Sequence, residues 1–234
     1  MNAYDHPLIK KGMPLQLANR RARIAAGDKP LGWKVGLGAP VTMEKVGIKA
    51  PIVGYLMQSA LIPSGSTVSL KGYARPVVEA EIAVRMAHTP KPGASPDEVR
   101  AAIKEIMPAI EIVDMDIIPA PDNLDVILEN SVFQRHVVLG NTTRAGGSIA
   151  GLTSRASRRG AVYSTTTDPE ALTGKAVDIV AHVAATLAAY GETLSPGDII
   201  ITGSITPPQM LEADDTDFGH ALDPVGEVKI AFTF

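Results

Sequence analysis

VVEAEIAVRM, residues 77–86, reads as a β-strand with Val78, Ala80, Ile82 and Val84 on one face and Val77, Glu79, Glu81 and Ala83 on the other. Its flanks are apolar, so the strand is largely buried. Side chains at i and i+2 share a face, which sets the two carboxylates about 7 Å apart along the strand. Two like charges on a buried face are costly unless something compensates them. Two readings stay open at this point: a divalent cation, which hard oxygen ligands select as Mg²⁺, Mn²⁺ or Ca²⁺, or an exposed face paired with Lys or Arg.

PAIEIVD, residues 108–114, repeats the anomaly by placing Glu111 inside another apolar strand-like run. A third carboxylate converging on Glu79 and Glu81 would complete a facial metal site with positions left for substrate and water. Asp114 and Asp116 are further candidates, but they fall on the parity opposite Glu111, which favours solvated acids at a strand end. Lys34 sits among small residues in GWKVG (32–36). Glycine allows close backbone approach, and apolar neighbours can lower a lysine's pKa. That suits a substrate-carboxylate contact or a general acid/base, and equally a surface lysine. The glycines match neither a phosphate loop nor the GxGxxG dinucleotide fingerprint. IITGS (200–204) follows a buried strand, and its Gly203 and Ser204 offer an N–H and a hydroxyl to an anion. The five histidines show no metal spacing, and no GxSxG elbow is present.

Around these motifs the pattern predicts helices over 15–27, with Leu15, Ala18, Ala22 and Ala25 inward, over 95–105 behind a Ser95-Pro96 start, over 122–129, and over 174–190. Strands are expected at 31–38, 66–70, 132–139, 198–202 and 226–234. With 45% hydrophobic and 20% charged residues the chain is an ordinary globular one. A net charge of −3 argues against a nucleic-acid partner. The absence of cysteine removes disulfide scaffolds, cysteine zinc sites and thiol nucleophiles. No apolar run is long enough for a membrane helix, and Pro7 and Pro14 break the N-terminal stretch, so a cytoplasmic location is expected.

The pieces also occur in a recognisable order. GWKVGLG (32–38), GYLM (54–57), RPVVEAEIAV (75–84), PAIEIVD (108–114), ENS (129–131) and SPGDIIITGSIT (195–206) together resemble the fumarylacetoacetate hydrolase superfamily. Within it the chain is most similar to the group of 2-hydroxypenta-2,4-dienoate hydratases and 4-oxalocrotonate decarboxylases of aromatic catabolism. The resemblance implies an α+β fold: a mixed, curved β-roll with a few outer helices and a short N-terminal helical segment. It implies one catalytic domain over 1–234, with a helical segment over 1–30 and the roll over 31–234. It further implies Mg²⁺ or Mn²⁺ on Glu79, Glu81 and Glu111, Lys34 as the catalytic group, and substrate contacts from Ser131, Gly203 and Ser204. The expected substrate is a small 2-oxo or 2-hydroxy-dienoate acid, and the expected assembly a homo-oligomer. Hydration leads among the reactions, with decarboxylation, isomerisation or C–C hydrolysis on the same site as alternatives. Two departures stand out. Ile52-Val53 occupies the place where the hydratases often carry an Asp that partners the lysine. Asp114-Met115-Asp116 replaces an Asp-Ser-Arg-like stretch. The hydrolase branch relies on an upstream His/Glu pair, and no matching histidine lies near Lys34.

Overall fold

The computed structural model describes residues 3–234. Its strands run β1 (Pro30–Gly36), β2 (Ile52–Met57), β3 (Leu61–Ile62), β4 (Thr67–Ser69), β5 (Pro76–Met86), β6 (Ile103–Asp114) and β7 (Gln134–Leu139). They continue with β8 (Thr153–Arg158), β9 (Ala161–Thr166), β10 (Ile199–Ser204), β11 (Gln209–Met210), β12 (Asp217–Asp223) and β13 (Gly226–Thr233). The helices are α1 (Pro7–Ala25), α2 (Pro40–Val46), α3 (Pro96–Ala102), α4 (Leu124–Glu129) and α5 (Ala176–Ala189).

Two mixed sheets make up the roll. The larger has the order β2-β1-β10-β5-β6-β7-β3, with β11 also paired to β5, and the smaller β4-β13-β12-β8-β9. The long antiparallel pair β5–β6 is its spine, in register from Pro76↔Asp114 with one irregularity near Arg85. Between the sheets, Val78, Ala80, Ile110 and Ile112 pack against Phe218, Val228, Ile230 and Phe232. Buried His220 of β12 bridges the layers, its Nδ1 3.2 Å from the Ala109 carbonyl and its Nε2 3.0 Å from Ser154 Oγ. The helices cover the larger sheet with a second apolar cluster that includes Trp33, Ile82, Val180, Val183 and Leu187.

The expected α+β roll is therefore present, with refinements. The strands expected at 66–70 and 226–234 lie in the smaller sheet, not the one that carries β5 and β6. The first helix starts at Pro7 and carries Pro14 inside it. Its buried stripe is Ile9, Met13, Gln16 and Leu17, whereas Leu15, Ala18, Ala22 and Ala25 are exposed. Reading the helix from residue 15 hid the stripe, because Ile9 and Met13 precede that start. The helix expected to reach residue 105 ends at Ala102, and the chain continues directly into β6. Glu105 suits a helix but is recruited by Arg85, its cross-strand partner, at 2.6 Å. The apolar face of α5 is consumed within the chain, with Val177, Val180, Val183 and Leu187 all buried. Strands β2, β3, β8, β9, β11 and β12 and helix α2 had no expectation. All of β8 but Ala156 is Ser, Thr or Arg, and the second half of β9 is Ser-Thr-Thr, so their alternation carries little hydropathy contrast.

Candidate metal and substrate site

Glu79 and Glu111 are directly opposite each other on β5 and β6, and Glu81 sits two residues along, beside Ser204 of β10. One carboxylate oxygen from each of the three lies within 4.8 Å of the others. Glu81 and Glu111 are fully buried, and Glu79 is half-buried at the floor of a cavity of about 360 Å³. Lys34 of β1 reaches the same point, 2% exposed, because strand alternation sends Trp33 and Val35 into the helix-side core and Lys34 the other way.

Charge is unbalanced here. The Lys34 ammonium lies 2.6 Å from Glu111 Oε1 and 2.7 Å from Oε2, donating a well-aligned hydrogen bond only to the latter. Its second bond goes to the Val132 carbonyl at 3.1 Å. Lys34 also lines the cavity. The Gly203 N–H donates to Glu81 Oε2 at 2.6 Å. Glu81 Oε1 and Glu111 Oε1 are buried with no hydrogen-bond partner. Burial, followed by repulsion from Glu111, pushes Glu79 up to about 7. Burial and the two neighbouring glutamates push Glu81 well above the usual carboxylate range. Burial raises Glu111 too, against the pull of Lys34. Three ionised carboxylates and one ammonium sum to −2, the charge that one divalent cation neutralises. Orphaned, buried, acceptor-only oxygens of this kind suit a hard cation such as Mg²⁺, Mn²⁺ or Ca²⁺.

Above this floor the cavity walls are apolar, formed among others by Val77, Val113, Met115, Phe133, Leu172 and Met210. Thr42 and the exposed Lys45 of α2 also line it. The remaining residues expected in the site fall in different places. Gly203 and Ser204 line the cavity, but the anion that the Gly203 N–H meets is the chain's own Glu81. The Ser204 hydroxyl donates to the Thr206 carbonyl at 2.7 Å. Ser131 is buried off the lining. Its hydroxyl accepts from the Tyr55 N–H and donates to the Tyr55 carbonyl, both at 2.9 Å. Asp114 is not solvated: it is 5% exposed and accepts from the backbone N–H groups of Ala74 and Arg75. Asp116 is exposed. The Val132 carbonyl and Lys45 had no sequence signal, the first because any residue carries a carbonyl, the second because nothing local marks it as facing a cavity.

The site's surroundings have counterparts in known proteins. Residues 35–226 match the family model for the fumarylacetoacetate (FAA) hydrolase C-terminal region. A 2-hydroxyhexa-2,4-dienoate hydratase of Comamonas testosteroni is 27% identical over 236 residues, covering 98% of this chain and 89% of that protein. A 4-oxalocrotonate decarboxylase of Pseudomonas putida is 29% identical over 214 residues, 88% of this chain and 78% of the other. A crystallised 4-oxalocrotonate decarboxylase from Pseudomonas putida G7, complexed with magnesium and adipate, superposes with a TM-score of 0.80 at 26% identity, covering 93% of this chain and 83% of that one.

Proposed function

This chain belongs to the fumarylacetoacetate hydrolase family, and from that premise we propose that it is a divalent-metal-dependent hydro-lyase that hydrates 2-hydroxy-2,4-dienoate acids in aromatic catabolism. The observation that carries the reading is the buried cluster of Glu79, Glu81 and Glu111, under-compensated by Lys34 alone, at the floor of an apolar cavity. Glu79, Glu81 and Glu111 would hold Mg²⁺ or Mn²⁺. A divalent ion there supplies a Lewis acid for the oxygens of a 2-oxo acid.

The chain's own residues supply the rest. Lys34 lines the cavity and holds a proton beside the substrate's carbon chain. Ile52 is buried and cannot orient this lysine as an aspartate would. Glu111 and the Val132 carbonyl take that place. The apolar walls exclude water from the carbon skeleton and suit a hydrocarbon tail. Gly203 and Ser204 close the cavity floor around Glu81. The cytoplasm is the proposed location; among the described residues no helix is long and apolar enough to cross a membrane. Homo-oligomeric assembly is proposed with it, supported by exposed Val162 and Tyr163 on edge strand β9 rather than by α5.

A 4-oxalocrotonate-type decarboxylase is the second reading. It is favoured by Lys45 at the cavity, a cation with no ion pair among the described residues, which suits the second carboxylate of a dicarboxylate substrate. Purified protein assayed with 2-hydroxypenta-2,4-dienoate and with 4-oxalocrotonate, each with and without Mg²⁺, separates the two. Hydration of the first compound, abolished by chelation, is the expected result. Turnover of the second alone establishes the decarboxylase, and turnover unaffected by chelation refutes both.

A further inference from the structure

Ser131, Val132 and Phe133 are three consecutive non-glycine residues with positive φ, at 50°, 55° and 65°. A β-branched residue in that region is a conformational outlier, sustained only where the surroundings over-determine it. Here they do so from three sides. First, the segment closes α4 as a complete Schellman motif: the Ser131 N–H donates to Leu128 O at 2.8 Å and the Val132 N–H to Ile127 O at 2.9 Å. The position after the C-cap, normally glycine, is occupied by Ser131. Second, the Ser131 hydroxyl is spent entirely on Tyr55, accepting from its N–H and donating to its carbonyl. β2 is the edge of the larger sheet, so this one hydroxyl satisfies two outward-facing strand groups. Third, two glycines make room for the turn. A Cβ on Gly36 would lie 2.5 Å from Val132 Cγ1, and one on Gly54 3.0 Å from Lys34 Cγ, 3.1 Å from the Ser131 carbonyl and 3.2 Å from Val132 Cγ2. The product of these constraints is the Val132 carbonyl, 3.1 Å from Lys34 Nζ.

We infer that Ser131 is a positioning residue: its hydroxyl locks the left-handed turn at 131–133 onto β2 so that the Val132 carbonyl aims the Lys34 ammonium. Glycine would suit the backbone better, so serine is there for its hydroxyl. The inference rests on the proposed role of Lys34 and replaces direct substrate contact by Ser131 with action through that lysine. It also explains how this chain orients the lysine although Ile52 occupies the position of the usual aspartate.

A double-mutant cycle tests it. Ser131→Ala is expected to lower kcat by about 10- to 100-fold, the cost of a slightly misplaced group, with KM and calorimetric Mg²⁺ affinity within about 2-fold of the parent. In a Lys34→Met background the same substitution is expected to cost nothing further, because the group it serves is gone. Ser131→Gly, which removes the hydroxyl and suits the left-handed backbone at φ 50° better, should behave alike and serves the cycle where Ser131→Ala does not fold; thermal unfolding monitors both. An equal loss in the two backgrounds, a loss confined to KM, or an unchanged kcat in Ser131→Ala overturns the inference. A Lys34→Met enzyme that turns over at the parent rate overturns the role of Lys34 itself and with it the inference.

Discussion

Among the described residues, two places bring three carboxylates within 4.8 Å of one another: Glu79, Glu81 and Glu111 on the larger sheet, and Glu212, Asp214 and Asp215 beside the smaller. By spacing alone they are equivalent. The second is a closed ion network. Asp215 has a fully buried side chain, held by Arg158 and Arg159 and by the Glu212 N–H, while Glu212 and Asp214 are exposed at 65% and 67%. Burial alone would raise Asp215, but the two guanidinium groups outweigh it and hold its carboxyl well below the usual range. The first cluster has one ammonium for three acids, two of them fully buried, two buried oxygens with no hydrogen bond, and carboxyls pushed upward. Clustering of acids is therefore not what marks a cation site. The mark is charge that the protein itself leaves uncompensated.

The contrast can be broken in several ways. Lys34→Met should cut kcat by about 10²–10⁴-fold, the usual worth of a positioned acid/base, while calorimetry shows metal affinity retained or tightened, because Glu111 loses its internal competitor. Lost metal binding in this variant would mean that the lysine builds the site instead of working in it. Arg158→Ala should destabilise the protein by about 3 kcal/mol in denaturant unfolding, the low end for a broken buried pair because Arg159 remains; an unchanged midpoint would show the network to be dispensable.

Glu79→Gln should do the opposite. Its carboxyl is raised from 4.5 to about 7 in the folded protein, so the folded state binds the proton more tightly than the unfolded one. Stability is then greatest at low pH and is lost as pH rises through about 7. Removing that ionisation should stabilise the metal-free protein by about 1–3 kcal/mol at about pH 8, and added Mg²⁺ should recover part of the same loss in the parent. A parent whose stability is flat across that range, with or without metal, would contradict the picture of an under-compensated cluster. The smallest effect belongs to Asp214→Ala, an exposed member of the closed network. Less than about 1 kcal/mol is expected, with no change in metal affinity.

Much of the site was legible because it violates local rules. Glu79, Glu81 and Glu111 are acids inside apolar strand runs, and a chain that buries such residues needs a reason visible in one dimension. The β5–β6 spine was legible for the same cause, since long alternating apolar runs have few other uses. Ser131 was misread from its motif alone: ENS marks the right stretch, but only the fold turns the hydroxyl toward Tyr55 and away from the cavity. Asp114 was read as solvated because strand ends usually are, and it is instead consumed by the backbone of residues 74 and 75.

The sequence by itself determined which residues carry the unusual chemistry, the α+β class and the family, because residue type and periodicity are local properties and survive without coordinates. Only the tertiary structure decided which acids meet which cations. Lys34 and Glu111 are 77 positions apart and lie 2.6 Å from each other, and the same chain directs Arg158 and Arg159 to Asp215. Electrostatic compensation falls off over a few ångströms of space and takes no account of chain separation. The difference between a closed ion network and an under-compensated acid cluster is therefore written in the packing of β1, β5 and β6, not in the spacing of their residues.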